Sequence, residues 1–106
     1  MIRPHEIISG RSLREVSELV SATSSFSDLE KIQITGVSVD SHQIENGDLF
    51  IALAGEKTHG ATHVGSAKLN GAIAVLTDEV GAALVTDLPV LICSDPRSVA
   101  GVISAW

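Results

Sequence analysis

The sequence predicts a small α/β domain of three-layer type, in which helices flank a mixed, partly parallel sheet. Short apolar runs, such as residues 49–53, have the length of buried strands. Segments with helical spacing of apolar residues alternate with these runs, which is typical of α/β folds. The chain has 106 residues, of which 44% are hydrophobic, so it is long enough for one core and too short for two domains.

Two helices are predicted from caps and spacing. Ser12 stands three residues before Glu15, which is the pattern of a capping box, and apolar residues follow at helical spacing over 13–20. A second helix is predicted over 61–70. Gly71 would end it, since glycine readily takes the left-handed conformation of a helix cap.

Strands are predicted at four places. Alternation over residues 35–39 indicates a strand with one better-buried face, whereas the continuous run 49–53 is typical of a strand covered on both faces. Further strand-like runs lie at 72–76 and 90–92. The segment 79–85 fits a helix or a strand equally well.

The last helix is predicted to begin at Pro96, with Asp95 as its N-cap. Its apolar stripe, expected to pack on the sheet, is Val99, Val102, Ile103 and Trp106. Residues 1–10 are expected to be a loose leader and the serine-rich stretch 21–31 a loop. Because no helix-ending glycine follows the stripe, we expect the chain to be cut at or near a domain boundary.

The charge balance and the cysteine content limit the partners. Seven Lys and Arg stand against thirteen Asp and Glu, and the formal charge of −6 argues against nonspecific binding to nucleic acid or to an anionic membrane. One locally held anionic ligand remains compatible with it. Cys93 is the single cysteine, which excludes a disulfide framework and predicts a buried small hydrophobe. No run approaches the roughly 20 apolar residues of a membrane span, and no signal peptide is recognisable, so a cytoplasmic location is expected.

Motifs of complete enzymes are missing from the sequence. It contains no G-x-x-x-x-G-K-[ST] phosphate loop, no G-x-S-x-G nucleophile elbow and no H-E-x-x-H metal helix. We therefore expect the chain by itself to lack catalytic residues.

Polar residues gather at two places that follow predicted strands. Ser38, Asp40, Ser41 and His42 lie at the end of the first strand, where a rigid edge suits ligand binding. A plain turn, in which Asp40 and Ser41 bond nearby amides, is the favoured alternative. The loop 55–60 offers close backbone approach and donors for an anionic or uracil-type ligand, and a solvated loop is equally well supported.

Three histidines raise the question of a metal site. His59 and His63 are four residues apart and would share a helix face, with His42 as a third ligand. No cysteine or carboxylate stands beside them at ligand spacing. A structural or solvent-facing role is favoured, and no metal is expected in this chain.

Taken together, these clusters resemble the N-terminal domain of the Mur ligases. The matching strings are ITGVSVDS at 34–41, NGDLFIALAG at 46–55, THG at 58–60 and GAIA at 71–74. The resemblance covers residues 32–106 and is greatest to the MurE type, which adds the third residue to UDP-N-acetylmuramoyl-dipeptide.

The resemblance implies a small α/β fold distinct from a Rossmann fold, and a role in holding the UDP part of that substrate. It implies two further domains in the parent ligase. The central one binds ATP and magnesium, and the C-terminal one brings the incoming amino acid. The parent reaction forms an acyl phosphate, which the amino group then attacks, whereas this chain has no cofactor of its own and is expected to be inactive.

The resemblance also implies site residues. Val39 corresponds to a residue lining the uracil pocket, and Ser41 to a serine that hydrogen-bonds the nucleotide. A short loop that contacts the nucleotide corresponds to Glu56, Lys57 and Thr58. His42 stands where the family usually has Arg, so a contact made through that Arg would lose charge at neutral pH.

Two alternatives stay open at this point. The ligases that add D-alanyl-D-alanine, the MurF type, share most of the same strings, although their triplet usually begins with Asp where this chain has Thr58. A non-catalytic α/β interaction module is the second alternative.

Overall fold

A computed structural model describes residues 11–24, 31–55, 59–85 and 88–105, with the side chains of Arg11 and of residues 101–105 excepted. In chain order its elements are β1 (Arg11–Ser12), α1 (Leu13–Leu19), β2 (Gln33–Ile34), β3 (Gly36–Ser38), β4 (Asp48–Ile51), a 3-10 helix (Gly60–His63), α2 (Val64–Asn70), β5 (Ala74–Thr77), α3 (Glu79–Ala82), β6 (Val90–Ile92) and α4 (Pro96–Ala105). None of the described helices is long and apolar enough to cross a membrane.

The central sheet has four parallel strands in the order β3-β4-β5-β6. Antiparallel pairing occurs beside it, in the short ladder of β1 with β2 and in two isolated bridges, Thr23 with Ile92 and Ala54 with His59. The predicted α/β class is therefore confirmed. Because all four central strands run the same way, their carboxyl ends meet at one edge of the sheet, where binding sites of α/β folds usually lie.

Both faces of the sheet are covered, which gives three layers. Successive side chains of a strand point to opposite faces, so the buried strands contribute to two cores. One core joins the sheet to α1 and α4 and includes Leu13, Val16, Leu49, Ile51, Leu76, Leu91 and the partly buried Val99. The other joins the sheet to α2 and includes Phe50, Ala52, Ala61, Val64, Ala67 and Val75.

The predicted capping box of α1 is present. The amide of Glu15 donates to Oγ of Ser12 at 3.1 Å, and the amide of Ser12 donates to Oε1 of Glu15 at 3.4 Å. These bonds satisfy two amides that a helix start leaves unpaired. The helix ends at Leu19, one residue before the predicted end.

The second helix ends where the sequence predicted, at a left-handed Gly71 with φ of 118°. The amide of Ala72 donates to the carbonyl of Ala67 at 2.9 Å, and that of Gly71 to the carbonyl of Lys68 at 3.1 Å. This is the Schellman arrangement, and it delays the start of β5 to Ala74 because Ala72 still closes the helix. The first turn of the predicted helix is instead the 3-10 helix Gly60–His63.

Three further predictions concern residues 79–95. The ambiguous segment 79–85 begins as the short helix α3. Asp95 caps α4 by accepting from the amide of Ser98 at 3.3 Å, and Cys93 is buried, both as predicted. The remaining predicted features lie outside the described residues or side chains: the leader 1–10, most of the loop 21–31, and the stripe residues Val102, Ile103 and Trp106.

Candidate functional site

A cleft of about 210 Å³ opens at the carboxyl edge of the sheet, and we call it the strand-end cleft. It is lined by Val39, Asp40, Ser41, His42, Phe50, Gly60 and His63. The cleft brings Val39 and Ser41, which follow β3, together with Gly60, which ends the loop after β4. Of the loop 55–60, Gly60 is the described residue that lines this cleft, so the predicted meeting of the two polar clusters stays a prediction.

One wall of the cleft is the Asp40 turn, residues 38–43. The Asp40 carboxylate accepts from the amide of His42 at 2.9 Å, and the Asp40 carbonyl accepts from the amide of Gln43 at 3.0 Å. The amide of Asp40 in turn donates to Oγ of Ser38 at 3.1 Å. The turn interpretation is thus correct for Asp40, because its side chain closes its own turn.

Ser41 is held in place by a residue that is distant in the sequence, Asn70. It is buried, with 6% of its surface exposed, and its carbonyl accepts from Nδ2 of Asn70 in α2 at 2.9 Å. Within the described part of the chain, no hydrogen bond occupies its hydroxyl. Val39, two residues before it, is 53% exposed at the cleft. A hydroxyl able to donate and accept therefore stands beside an uncovered apolar side chain.

The opposite wall is the 3-10 segment 59–63, which we call the His59 wall. An antiparallel bridge joins His59 to Ala54, and the amide of Gly60 donates to the carbonyl of Leu53 at 2.7 Å. A Cβ on Gly60 would stand 2.9 Å from both the nitrogen and the oxygen of Leu53, so only glycine fits this approach.

The loop that precedes this wall is only partly described. Glu56, Lys57 and Thr58 lie outside the described residues, so their role in nucleotide contact stays a prediction. The start of this loop is held by α4, because Nη2 of Arg97 donates to the carbonyl of Ala54 at 3.0 Å.

A histidine–carboxylate pair supports the His59 wall. Nδ1 of His59 accepts from the amide of Ala61 at 2.9 Å, and Nε2 lies 2.8 Å from Oδ1 of Asp78. Since Nδ1 accepts, Nε2 carries the proton and donates to Asp78. The pKa of Asp78 lies below its ordinary value, chiefly because the Gly81 amide donates to the carboxylate; His59 adds to this effect and burial opposes it.

Sequence reasoning missed this pair and Arg97. For His59 the sequence favoured a structural or solvent-facing role over a metal site but indicated no partner, and Asp78 precedes a segment of ambiguous pattern. The signal that could have found Asp78 is its place as a capping carboxylate before α3, since its side chain accepts from the amide of Gly81 at 2.8 Å. Nothing in the sequence pattern points to Arg97 as a partner of Ala54, 43 residues away.

The comparisons with known proteins identify the family. The sequence model described as "Mur ligase family, catalytic domain" matches residues 33–104, which is more than half of the chain. This chain belongs to the Mur ligase family. The resemblance stated from its motifs is therefore confirmed.

Relatives and solved structures agree on the family. The chain is 41% identical over 100 residues to UDP-N-acetylmuramoyl-L-alanyl-D-glutamate–2,6-diaminopimelate ligase of Streptomyces avermitilis, covering 92% of this chain and 19% of the relative. It is 40% identical over 81 residues to UDP-N-acetylmuramyl-tripeptide synthetase of Leifsonia xyli, covering 74% of this chain and 16% of the relative. The chain thus spans less than a fifth of the length of these curated relatives.

A solved Mur ligase has the same fold. The crystal structure of MurF from Acinetobacter baumannii superposes with a TM-score of 0.71 over 87% of this chain and 20% of that chain. The sequence identity is 20%, so the likeness establishes the fold and nothing about substrate choice.

Mur ligases use ATP and a divalent cation, and the described residues of this chain offer no fitting set of ligands for the cation. No group of three or more His, Cys, Asp and Glu side chains within the described ranges is arranged to hold a metal ion. His59, one of the three histidines considered above, uses both ring nitrogens in bonds to Ala61 and Asp78. No chemical step is therefore assigned to a metal here.

A second, larger cleft of about 580 Å³ lies at the same edge. Its lining is Ser21, Thr23, Asp78, Glu79, Val80, Ile92, Cys93 and Ser94. Burial raises the pKa of the Cys93 thiol; a hydrogen bond from the Asp95 amide opposes this effect, and the Asp95 and Asp78 carboxylates add to it. Cys93 therefore stays protonated near neutral pH and is a poor nucleophile.

Proposed function

We propose that this chain is the N-terminal, UDP-substrate-binding domain of a ligase that adds the third residue to UDP-N-acetylmuramoyl-dipeptide during peptidoglycan synthesis. The strand-end cleft carries the proposal, because it joins the Ser41 hydroxyl, the exposed Val39 and the Gly60 backbone at one sheet edge. Two relatives at about 40% identity are named as a diaminopimelate ligase and a tripeptide synthetase. These names support a ligase that adds the third residue of the peptide.

The cleft has the chemistry of a small pocket for uracil and ribose. Val39 offers an apolar surface to a planar ring, and the Ser41 hydroxyl can donate to a uracil carbonyl or accept from its N–H. Its volume of about 210 Å³ is below the roughly 300–1,000 Å³ of pockets that enclose drug-sized ligands. The sugar and peptide would therefore extend beyond it, toward the rest of the parent ligase.

The other parts of the proposal concern the parent protein. ATP and magnesium would bind in its central domain, the acyl phosphate would form there, and the incoming amino acid would come from its C-terminal domain. All of this would take place in the cytoplasm. The chain by itself is expected to show no ATP-dependent ligation, and measurable peptide-bond formation by the purified chain would contradict this.

The main test is a titration of the ¹⁵N-labelled chain with UDP, and with UDP-N-acetylmuramoyl-dipeptide, followed by NMR and calorimetry. We expect amide shifts concentrated at Val39, Ser41 and Gly60. Ser41→Ala should weaken binding about three- to tenfold, the effect of losing one neutral hydrogen bond. The matched control is Ser66→Ala, an exposed serine on α2 outside the cleft. Wild-type affinity in Ser41→Ala, with folding intact, would mean that the nucleotide sits elsewhere.

The role of Lys57 can be tested through salt. If its ammonium faces a phosphate, Lys57→Ala should weaken binding more at about 0.01 M than at about 0.15 M salt, because exposed charge pairs are screened. Lys68→Ala on α2 is the control of equal charge. Equal losses at both salt concentrations would exclude Lys57 as a phosphate contact.

The same titrations separate the alternatives. A non-catalytic interaction module predicts no binding of UDP by the folded chain. The MurF-type alternative rests on structural likeness at 20% identity, which bears on fold alone. In the parent ligase, addition of diaminopimelate or another third residue to the dipeptide substrate would support the MurE type, whereas addition of D-alanyl-D-alanine to the tripeptide substrate would support the MurF type.

A further inference from the structure

We infer that His59 and Asp78 form a positioning pair that holds the His59 wall of the strand-end cleft in its binding shape. The inference rests on the proposed function of that cleft. It assigns no contact with the nucleotide to either residue. Instead, His59 acts through Gly60 and Ala61, which follow it directly along the wall.

The geometry ties the ends of two neighbouring strands together. His59 follows the loop after β4, and Asp78 directly follows β5. The imidazole is held at both nitrogens, by Ala61 at 2.9 Å and by Asp78 at 2.8 Å, and only 9% of the His59 side chain is exposed. Asp78 is itself fixed, because its carboxylate also accepts from the amide of Gly81 at 2.8 Å.

The bonds of His59 continue into the wall. Its carbonyl accepts from Oγ1 of Thr62 at 2.8 Å and from the amide of Thr62 at 3.0 Å. Its Nδ1 orients the amide of Ala61, and Gly60 between them lines the cleft. A rotation of the imidazole would therefore move the segment that contains Gly60.

This arrangement requires a neutral imidazole. A proton on Nδ1 would face the amide N–H of Ala61, so acidification breaks that bond while the attraction to Asp78 remains. Among the described residues, the charged groups near the pair include the exposed Glu79, Asp95, which acts with Asp78 on the Cys93 thiol, and Arg97, which is bound to the carbonyl of Ala54. Glu56 and Lys57 lie outside the described residues.

The probe for this inference is UDP-N-acetylglucosamine, because both of its phosphates are esterified and do not titrate near neutral pH. Its affinity for the chain is measured at two pH values, a higher one at which the ring ¹⁵N shifts of His59 report a neutral imidazole and a lower one at which they report a protonated imidazole. We expect the wild-type chain to bind at least about threefold more weakly at the lower pH, since one hydrogen bond of the wall is lost.

Three variants distinguish positioning from a general loss of stability. His59→Ala should bind about three- to tenfold more weakly at both pH values, with no pH dependence. His59→Asn keeps an acceptor for the Ala61 amide and cannot titrate, so it should recover much of the affinity at the lower pH. Asp78→Asn keeps a single acceptor oxygen, the counterpart of the Oδ1 that receives both the Gly81 amide and Nε2–H, and should bind as the wild type does at the higher pH. ¹⁵N shifts of the ring should report a protonated Nε2 and an unprotonated Nδ1.

The outcomes are separable from those of the proposed function. Wild-type binding with wild-type pH dependence in a folded His59→Ala chain would overturn the positioning pair and leave the cleft intact. A protonated Nδ1 at the higher pH would also overturn it. Failure of the wild-type chain to bind any UDP compound would overturn the proposed function, and the positioning pair with it.

Discussion

The two walls of the strand-end cleft are held by bonds of very different range. In the Asp40 turn, the bonds of Asp40 join residues two or three positions apart. In the His59 wall, the imidazole reaches Asp78, 19 residues away, and Arg97 reaches the entry of the preceding loop across 43 residues. The first wall is a local turn, and the second exists only when β4, β5 and α4 have already assembled.

This difference predicts unequal responses to mutation. A change in the Asp40 turn removes one short-range bond of an exposed residue. A change at Asp78 or around it disturbs the packing between two strand ends as well as the cleft. The His59 wall is therefore expected to be the more sensitive of the two, both in stability and in binding.

The largest effect is expected from Gly81→Ala. A Cβ at this position would overlap Oγ1 of Thr77 and stand 2.5 Å from Cε1 of His59. Thr77 has no room to withdraw, because it is fully buried and its hydroxyl donates to the carbonyl of Ala52 at 3.0 Å. Overpacking of this kind should lower the free energy of unfolding by about 1–3 kcal/mol, measured by urea denaturation.

Gly65→Ala is the matched control for that substitution. Gly65 is exposed in α2, and nothing lies within 4 Å of a Cβ placed there. Relief of glycine's entropy cost in a helix should raise stability by about 0.5–1 kcal/mol. Equal effects of the two substitutions would show that His59 and Thr77 do not enclose Gly81.

The next effect compares one aspartate from each wall. Asp78→Ala removes the cap of α3 and the partner of His59, and should cost about 1–2 kcal/mol of unfolding free energy. Asp40→Ala removes the bond to the amide of His42 in an exposed turn and should cost about 0.5 kcal/mol. A larger loss for Asp40→Ala would reverse the ranking of the two walls.

The smallest effect concerns acid. The pKa of Asp78 is held below its ordinary value of 3.8, so its ionised form stabilises the fold at higher pH. That contribution is lost as the pH falls from the ordinary value through the lowered one. The stability difference between wild type and Asp78→Asn should therefore shrink in that acid range. A difference that stays constant down to the lowest pH would show that the charge of Asp78 contributes nothing.

Much of the fold was predictable because its signals are local. The capping box of Ser12 and Glu15, the left-handed Gly71 and the cap at Asp95 depend on residues within a few positions of one another. The apolar run 49–53 likewise indicates by itself a strand buried on both faces, and all four residues of β4 are buried. Such local patterns predict structure well because the helix or strand that they specify depends on interactions between residues close in the chain.

Other elements carried too little signal. The ladder of β1 with β2 has two residues in each strand, and α3 has four residues, so neither shows a period. The first turn of the predicted helix 61–70 is a 3-10 helix, and the His59 side chain caps the amide of Ala61 at its start. That cap depends on the neighbouring Asp78, which no helical period reveals.

Residue patterns along the chain were enough to predict the α/β class, the positions of the main strands and helices, the turn at Asp40 and the resemblance to the Mur ligases. Three contacts could be seen only in the folded chain: the bond of Asn70 to the carbonyl of the buried Ser41, the pair of His59 with Asp78, and the bond of Arg97 to Ala54. The physical reason is the range of the interaction. Caps, turns and periodicity are set by neighbours in the chain, whereas these contacts need several strand ends to meet at one edge of the sheet.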